Sequence, residues 1–267
     1  MTTLRASLAV IGGSGLYSLF GPDDAEQEYI ETPYGPATVS FGELSGRMVA
    51  FIPRHGSGHS VAPHLINYRA NIWALGSVGV RAIVSTAAVG AVHPDFPVGS
   101  LVLPDQYIDR TQGRAATFYD RESVQHLASS DPFCPSLHAL AVAATGDEVI
   151  TQGTVVVIQG PRFSTRAESQ WFRSMGGHLV NMTLYPEVPL AAELNIGTIN
   201  VAYITDNDAT VSDEQLSAEL VFARLKEAQP RIIRVIEKII STIDADYSAA
   251  ELIAPGEVDA VLARNPQ

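Results

Sequence analysis

Asp206 and Asp208 stand two residues apart at the end of the apolar run Ile199–Thr205. In an extended chain this spacing puts both carboxylates on one face, where two like charges tend to share a proton. Such a pair can protonate a departing nitrogen base and accept a hydrogen bond from an amine on it. A turn cap or a calcium loop would use the same residues, although the Gly and distant Glu of an EF-hand are missing.

A second group of residues suits an anion. Gly12-Gly13-Ser14-Gly15 follows the apolar run Leu8–Ile11. Glycines let backbone N–H groups approach an anion, and Ser14 adds a hydroxyl. The third glycine of a dinucleotide fingerprint is absent, and so is a Gly-Lys-Ser/Thr P-loop. Arg54 and His55 follow the run Val49–Ile52 and offer a rigid donor fork and an imidazole. His55, His59 and His64 raise the option of a metal. Gly56 and Gly58 spoil a helical His55/His59 pair, and no nearby carboxylate or thiol completes a set, so no metal is expected. Thr86, at the end of the run Ala82–Ser85, can also face the anion. Phe163 sits by the Gly160-Pro161 bend, where its ring could stack on a base or pack in the core. Arg166 and Glu168 read as helix surface charges. No G-x-S-x-G supports a serine hydrolase, and a simple anion-binding module would have no use for the Asp pair.

These residues need strand ends and loops to carry them. Leu8–Ile11, Val49–Ile52, Ala82–Ser85, Leu101–Leu103, Thr154–Ile158, His178–Met182 and Ile199–Thr205 read as strands, many of them apolar on both faces. Helices are expected at Leu65–Leu75 (ended by Gly76), Arg166–Ser174 and Pro186–Leu194. Another is expected from Pro230 through the stripe Ile232, Ile236, Ile239 and Ile243. A short helix near Ala249–Leu252 is expected in the tail. The alternation predicts an α/β fold with a central mixed sheet flanked by helices, in a single domain over 1–267. Functional groups should then gather at the strand ends.

The composition narrows the class. Apolar residues make up 46% of the 267 and charged residues 17%, which suits a sizeable core. A net charge of −12 argues against nucleic acid or an anionic membrane as partner, so any phosphate must be held by local donors. Cys134 is the only cysteine, which forbids an internal disulfide and suits a reducing compartment. The apolar run near the N-terminus is too short for a signal peptide, and none reaches the ~20 residues of a spanning helix. A cytoplasmic protein is expected.

Taken together, Ile11–Gly15, Arg54-His55, Gly160-Pro161-Arg162-Phe163-Ser164, Val180-Asn181-Met182-Thr183 and Asp206-Asn207-Asp208 resemble the trimeric purine nucleoside phosphorylase superfamily, most closely its 5'-methylthioadenosine-cleaving branch. The resemblance runs from about residue 8 to about residue 228 with the motifs in order. It implies reversible phosphorolysis of 5'-methylthioadenosine, with phosphate as co-substrate and no cofactor. Ser14, Arg54, His55, Thr86 and Thr183 would hold phosphate; Ala87, Phe163 and Met182 would line the nucleoside. Asp206 would act as the catalytic acid, and Asp208 would read the 6-amino group. His126, ahead of Asp131-Pro132-Phe133-Cys134-Pro135, would reach the 5'-end of the nucleoside in a neighbouring subunit of a homotrimer. The alternative is a 6-oxopurine nucleoside phosphorylase, which would place an amide donor at the base. Two segments depart from the family pattern: Ala209–Ser212 lacks an aromatic found in some relatives, and the C-terminal tail does not align.

Overall fold

The apolar runs of the sequence become the inner strands of one mixed sheet. The computed structural model describes residues 5–21, 23–121, 123–208 and 217–266. In chain order the elements are β1 (Leu8–Gly12), β2 (Ala25–Ile30), β3 (Ala37–Leu44), β4 (Arg47–Pro53), α1 (Tyr68–Ser77), β5 (Ala82–Ala91), β6 (Leu101–Val102) and β7 (Gln106–Arg110). There follow α2 (Pro135–Thr145), β8 (Thr154–Ile158), α3 (Arg166–Ser174), β9 (Leu179–Asn181), α4 (Leu184–Glu193), β10 (Gly197–Asn207), α5 (Ala218–Thr242) and α6 (Pro255–Leu262). The sheet runs β2-β3-β4-β1-β5-β9-β8-β7, with β10 against β5 and β6 against β10. β4, β1, β5 and β10 are mutually parallel neighbours, so their carboxyl ends open on the same side.

Alternation along the inner strands serves two cores. Ile11, Ile52 and Ile83 pack with α1, α4 and α6 through Ile72, Leu75, Leu190 and Val261. Val10, Val84 and Val201 face the other way, onto α2 and α5 through Leu137, Ala141, Ile236 and Ile239. No helix among the described residues is long and apolar enough to cross a membrane.

Several elements differ from the expectation, each for a physical reason. β2 is largely exposed and polar and β3 pairs with it at the sheet margin, so neither carries a run of apolar residues on both faces. The helix expected to start at Pro230 begins at Ala218, with Pro230 in its interior. The buried stripe Val221, Leu225, Ala228, Ile232, Val235 and Ile239 is continuous across the proline. Its burial offsets the ~3 kcal/mol that an interior proline costs. α1 runs through Gly76 to Ser77 rather than stopping before it. In α4 Tyr185 and Pro186 are not helical, so the regular turns begin at Glu187. The tail helix lies at Pro255–Leu262 rather than Ala249–Leu252, with Pro255 in its first turn.

Candidate active site

The parallel strand ends enclose a cleft of ≈ 290 Å³, lined by residues from the β1, β4 and β10 ends, β5, the β8–α3 and β9–α4 connections, and the first turns of α5. Of the residues singled out in the sequence, Ser14, Arg54, His55, Ala87, Phe163, Met182, Thr183, Asp206 and Asp208 all line it. Thr86 does not. Its hydroxyl accepts the Gly13 N–H at 2.8 Å and its carbonyl accepts Arg54 Nη1 at 2.8 Å, so it braces the loop from behind. His126 is exposed and away from this cleft. Residues 209–212, where the aromatic is missing, lie outside the described residues.

One end of the cleft is built from the β1 and β4 termini. The Arg54 N–H donates to Gly12 O at 2.9 Å, locking the two loops together. A Cβ at Gly13 would lie 2.5 Å from Thr86 O and 2.9 Å from Arg54 Nη1, so only glycine allows this approach. Arg54 is buried, and Glu187 of α4 takes its Nε and Nη2 hydrogens at 2.6 Å each. Burial alone would lower the arginine pKa; the charge and hydrogen bonds of Glu187 outweigh it and the net shift is upward.

His55 differs in kind. Burial, Arg54 and His59 lower its pKa to about 4 against the opposing pull of the Val61 carbonyl, so the ring is neutral at pH 7. Its Nδ1 lies 2.9 Å from Val61 O, which can only accept, so Nδ1 carries the proton. Nε2 is then a lone pair, suited to a protonated oxygen. The His59 ring lies tilted against His55, with centroids 4.4 Å apart, and meets Phe222 of α5 edge-on at 5.1 Å. Among the described residues no group of three or more His, Cys, Asp or Glu side chains is arranged to hold a metal ion.

At the other end, the pairing of β10 with β5 shifts register between Ile204 and Asp206. Such an irregularity re-aims the following side chains. Asp206 comes to lie over Gly90, where an added Cβ would meet Asp206 Oδ2 at 2.8 Å and Asp208 Cβ at 3.4 Å. The Thr205 hydroxyl lies 2.6 Å from Asp206 Oδ1 and 3.2 Å from Val89 O. The Ser169 hydroxyl lies 2.5 Å from Asp208 Oδ2 and 3.1 Å from Thr165 O. Each hydroxyl has one proton and faces one carbonyl and one carboxyl group. It can donate to an ionised carboxylate, or accept from a protonated one while donating to the carbonyl. Both aspartates can therefore change protonation without losing this contact.

Between the two ends lie apolar surfaces. Phe163 is 39% exposed within the cleft, on a bend held by neighbouring charges. Arg162 forks onto Glu168 at 2.7 and 2.6 Å, and Glu168 closes a capping box with Thr165 at the start of α3. Arg162 and the Thr165 N–H hold the Glu168 carboxyl down at about 2. Ala218, Val221 and Phe222 of α5 add an apolar wall to the same cleft.

Sequence reasoning missed Glu187, Ser169, Thr205 and Phe222, and it named Asn181 within a motif without giving it a role. Asn181 Oδ1 accepts the Thr183 and Leu184 N–H groups at 2.6 and 2.8 Å, which fixes Thr183 at the start of α4. Glu187 had one signal: a carboxylate inside the apolar segment Tyr-Pro-Glu-Val-Pro-Leu needs a buried partner. Ser169 and Thr205 carried none.

Comparison with known proteins adds to this geometry. A model described as the phosphorylase superfamily matches residues 7–241. An S-methyl-5'-thioadenosine phosphorylase of Mycolicibacterium smegmatis is 47% identical over 249 residues, covering 92% of this chain and 95% of that one. A purine nucleoside phosphorylase of Streptomyces coelicolor is 43% identical, covering 91% of each. Among solved structures, a methylthioadenosine phosphorylase from Schistosoma mansoni in complex with adenine superposes with a TM-score of 0.85 at 29% identity, covering 97% of this chain and 98% of that one.

Proposed function

The chain belongs to the phosphorylase superfamily, and on that premise we propose that it catalyses the reversible phosphorolysis of 5'-methylthioadenosine to adenine and 5-methylthioribose 1-phosphate. The observation that carries this reading is the presence in one cleft of an anion cradle and a carboxylate pair, set against Thr86 and Gly90 of the same strand, together with apolar surfaces. The naming of the Mycolicibacterium smegmatis relative supports it.

In this reading Ser14, Arg54 and Thr183 donate to phosphate, with Gly13 and Thr86 bracing the loop. At neutral pH phosphate always keeps at least one proton, and the lone pair on His55 Nε2 accepts from it. Phe163 stacks on the base, while Ala87 and Met182 pack on the nucleoside. As the C1'–N9 bond breaks, positive charge builds on the sugar ring. Phosphate held in line both stabilises that charge and attacks C1', forming the new C1'–O bond. The electron pair of the broken bond stays on adenine, which takes a proton at N7 from Asp206. Asp208 accepts from the 6-amino group. No covalent enzyme intermediate, metal or cofactor is needed. The apolar α5 wall suits a thioether at the 5'-carbon better than a hydroxyl. We place His126 in the neighbouring subunit's site of a homotrimer, the assembly that the family resemblance implies.

A second reading, cleavage of 6-oxopurine nucleosides, is favoured by the naming of the Streptomyces coelicolor relative. An ionised Asp208 has no donor for a 6-oxo group, which argues against it. The test is base release from methylthioadenosine, adenosine and inosine with and without phosphate. Methylthioadenosine should react fastest and only with phosphate present. Equal rates in phosphate-free buffer would make the protein a hydrolase, and inosine as the best substrate would select the second reading.

A further inference from the structure

We propose that Glu187 is a positioning residue for phosphate: it locks the Arg54 guanidinium into the orientation that serves the anion, and its benefit is geometric in spite of its charge. The proposal rests on the reading that Arg54 holds phosphate.

Arginine has five N–H groups. Glu187 takes one from Nε and one from Nη2 at 2.6 Å each, and the Thr86 carbonyl takes one from Nη1 at 2.8 Å. Two remain, one on each terminal nitrogen, and Arg54 lines the cleft while Glu187 does not. Glu187 therefore acts through Arg54. Both side chains are almost wholly buried, at 1% and 4% exposure, so the fork has no water to turn toward. A long side chain with several rotatable bonds is thereby held in one rotamer before any anion arrives, which removes an ordering cost from binding.

Charge and geometry make opposite predictions here. Arg54 and Glu187 together carry no net charge, and His55 is neutral at pH 7 with its pKa near 4. Removing the negative charge of Glu187 would make the cradle more positive, so Coulomb attraction alone predicts tighter phosphate binding by Glu187→Gln. A positioning role predicts the reverse. The amide turns an NH₂ toward the guanidinium, one arm of the fork is lost, and Arg54 swings off the anion.

The test is steady-state kinetics on the intact protein with inorganic phosphate and methylthioadenosine varied separately, for Glu187→Gln, Arg54→Gln and the double variant. Glu187→Gln is expected to raise the phosphate KM about tenfold or more, the scale of one lost charge-assisted hydrogen bond, while the nucleoside KM moves less than about threefold. Once Arg54 is Gln, losing Glu187 should cost nothing further in phosphate KM. This comparison does not need E187Q alone to fold. Because R54Q leaves Glu187 buried without its partner, circular dichroism first establishes that R54Q is folded. If it is not, a phosphate KM in the double variant no higher than in E187Q overturns the proposal. A lower or unchanged phosphate KM in folded E187Q overturns the proposal, as does a further loss on adding E187Q to R54Q. If Arg54→Gln itself leaves the phosphate KM unchanged, the phosphate reading of Arg54 fails and this inference falls with it.

Discussion

His55 shows how much one proton's position decides. The Val61 carbonyl claims its Nδ1–H, which leaves Nε2 as an acceptor. Its lowered pKa, about 4, also has a cost in stability. Above about pH 6.5 both the folded and unfolded states hold a neutral ring. Between 6.5 and 4 the unfolded state takes up a proton that the folded state refuses, so stability falls as pH falls through that window. Urea unfolding at pH 7 and pH 4.5 should therefore show a smaller loss in His55→Gln than in the parent, by on the order of 2 kcal/mol. Equal losses would mean that His55 is protonated in the fold. Asp208 offers a separate test of base reading. Asp208→Asn places a donor where a carboxylate accepted, so the ratio of methylthioadenosine to inosine turnover should drop by a factor corresponding to about 1–3 kcal/mol. An unchanged ratio would show that Asp208 does not read the 6-position.

At the scale of elements, α3 illustrates how a helix start can hold a site. Thr165 and Glu168 cap each other, and Glu168 also anchors Arg162, next to Phe163. Thr165→Ala should cost about 1 kcal/mol in stability and raise the nucleoside KM several-fold, with the phosphate KM unchanged. Equal rises in both constants would deny that the cap acts through Phe163. This helix was legible at its observed bounds, Arg166–Ser174, because Gly176-Gly177 ends it, whereas the capping box at its start was not read and Glu168 passed for a surface charge. The inner strands were legible because burial on both faces leaves unbroken apolar runs. β2 was not, since an exposed edge strand writes no such run, and the extension of α5 before Pro230 was hidden because proline ordinarily marks a beginning. At the site, glycines and residues at strand ends stood out. Glu187, Ser169 and Thr205 act by contacts over 39 residues or more, or across a register shift, and sequence spacing records neither.

At the scale of the whole molecule, the proposed sharing of sites makes assembly part of catalysis. His126 is exposed and does not line its own cleft. A head-to-tail contact that repeats by rotation closes into a ring, in which each His126 can reach a neighbour. Mixing inactive His126→Ala subunits with inactive Asp206→Ala subunits should then recover activity, because some interfaces pair two intact halves. A fully active monomer in sedimentation, or no recovery after verified subunit exchange, would refute shared sites. A different consequence follows from β5, which braces the anion loop at Thr86 and seats Asp206 over Gly90. Four residues of extended chain span roughly 13 Å, and β5 is paired on both sides by β1 and β10 over its first half. In the proposed mechanism the strand works as a ruler whose two marks are the phosphate and the base. A one-residue change in its length would turn the strand's side chains beyond that point to the wrong face. Adaptation to a larger or smaller ligand is left to the one wall not graduated on that ruler, the first turns of α5 with Val221 and Phe222.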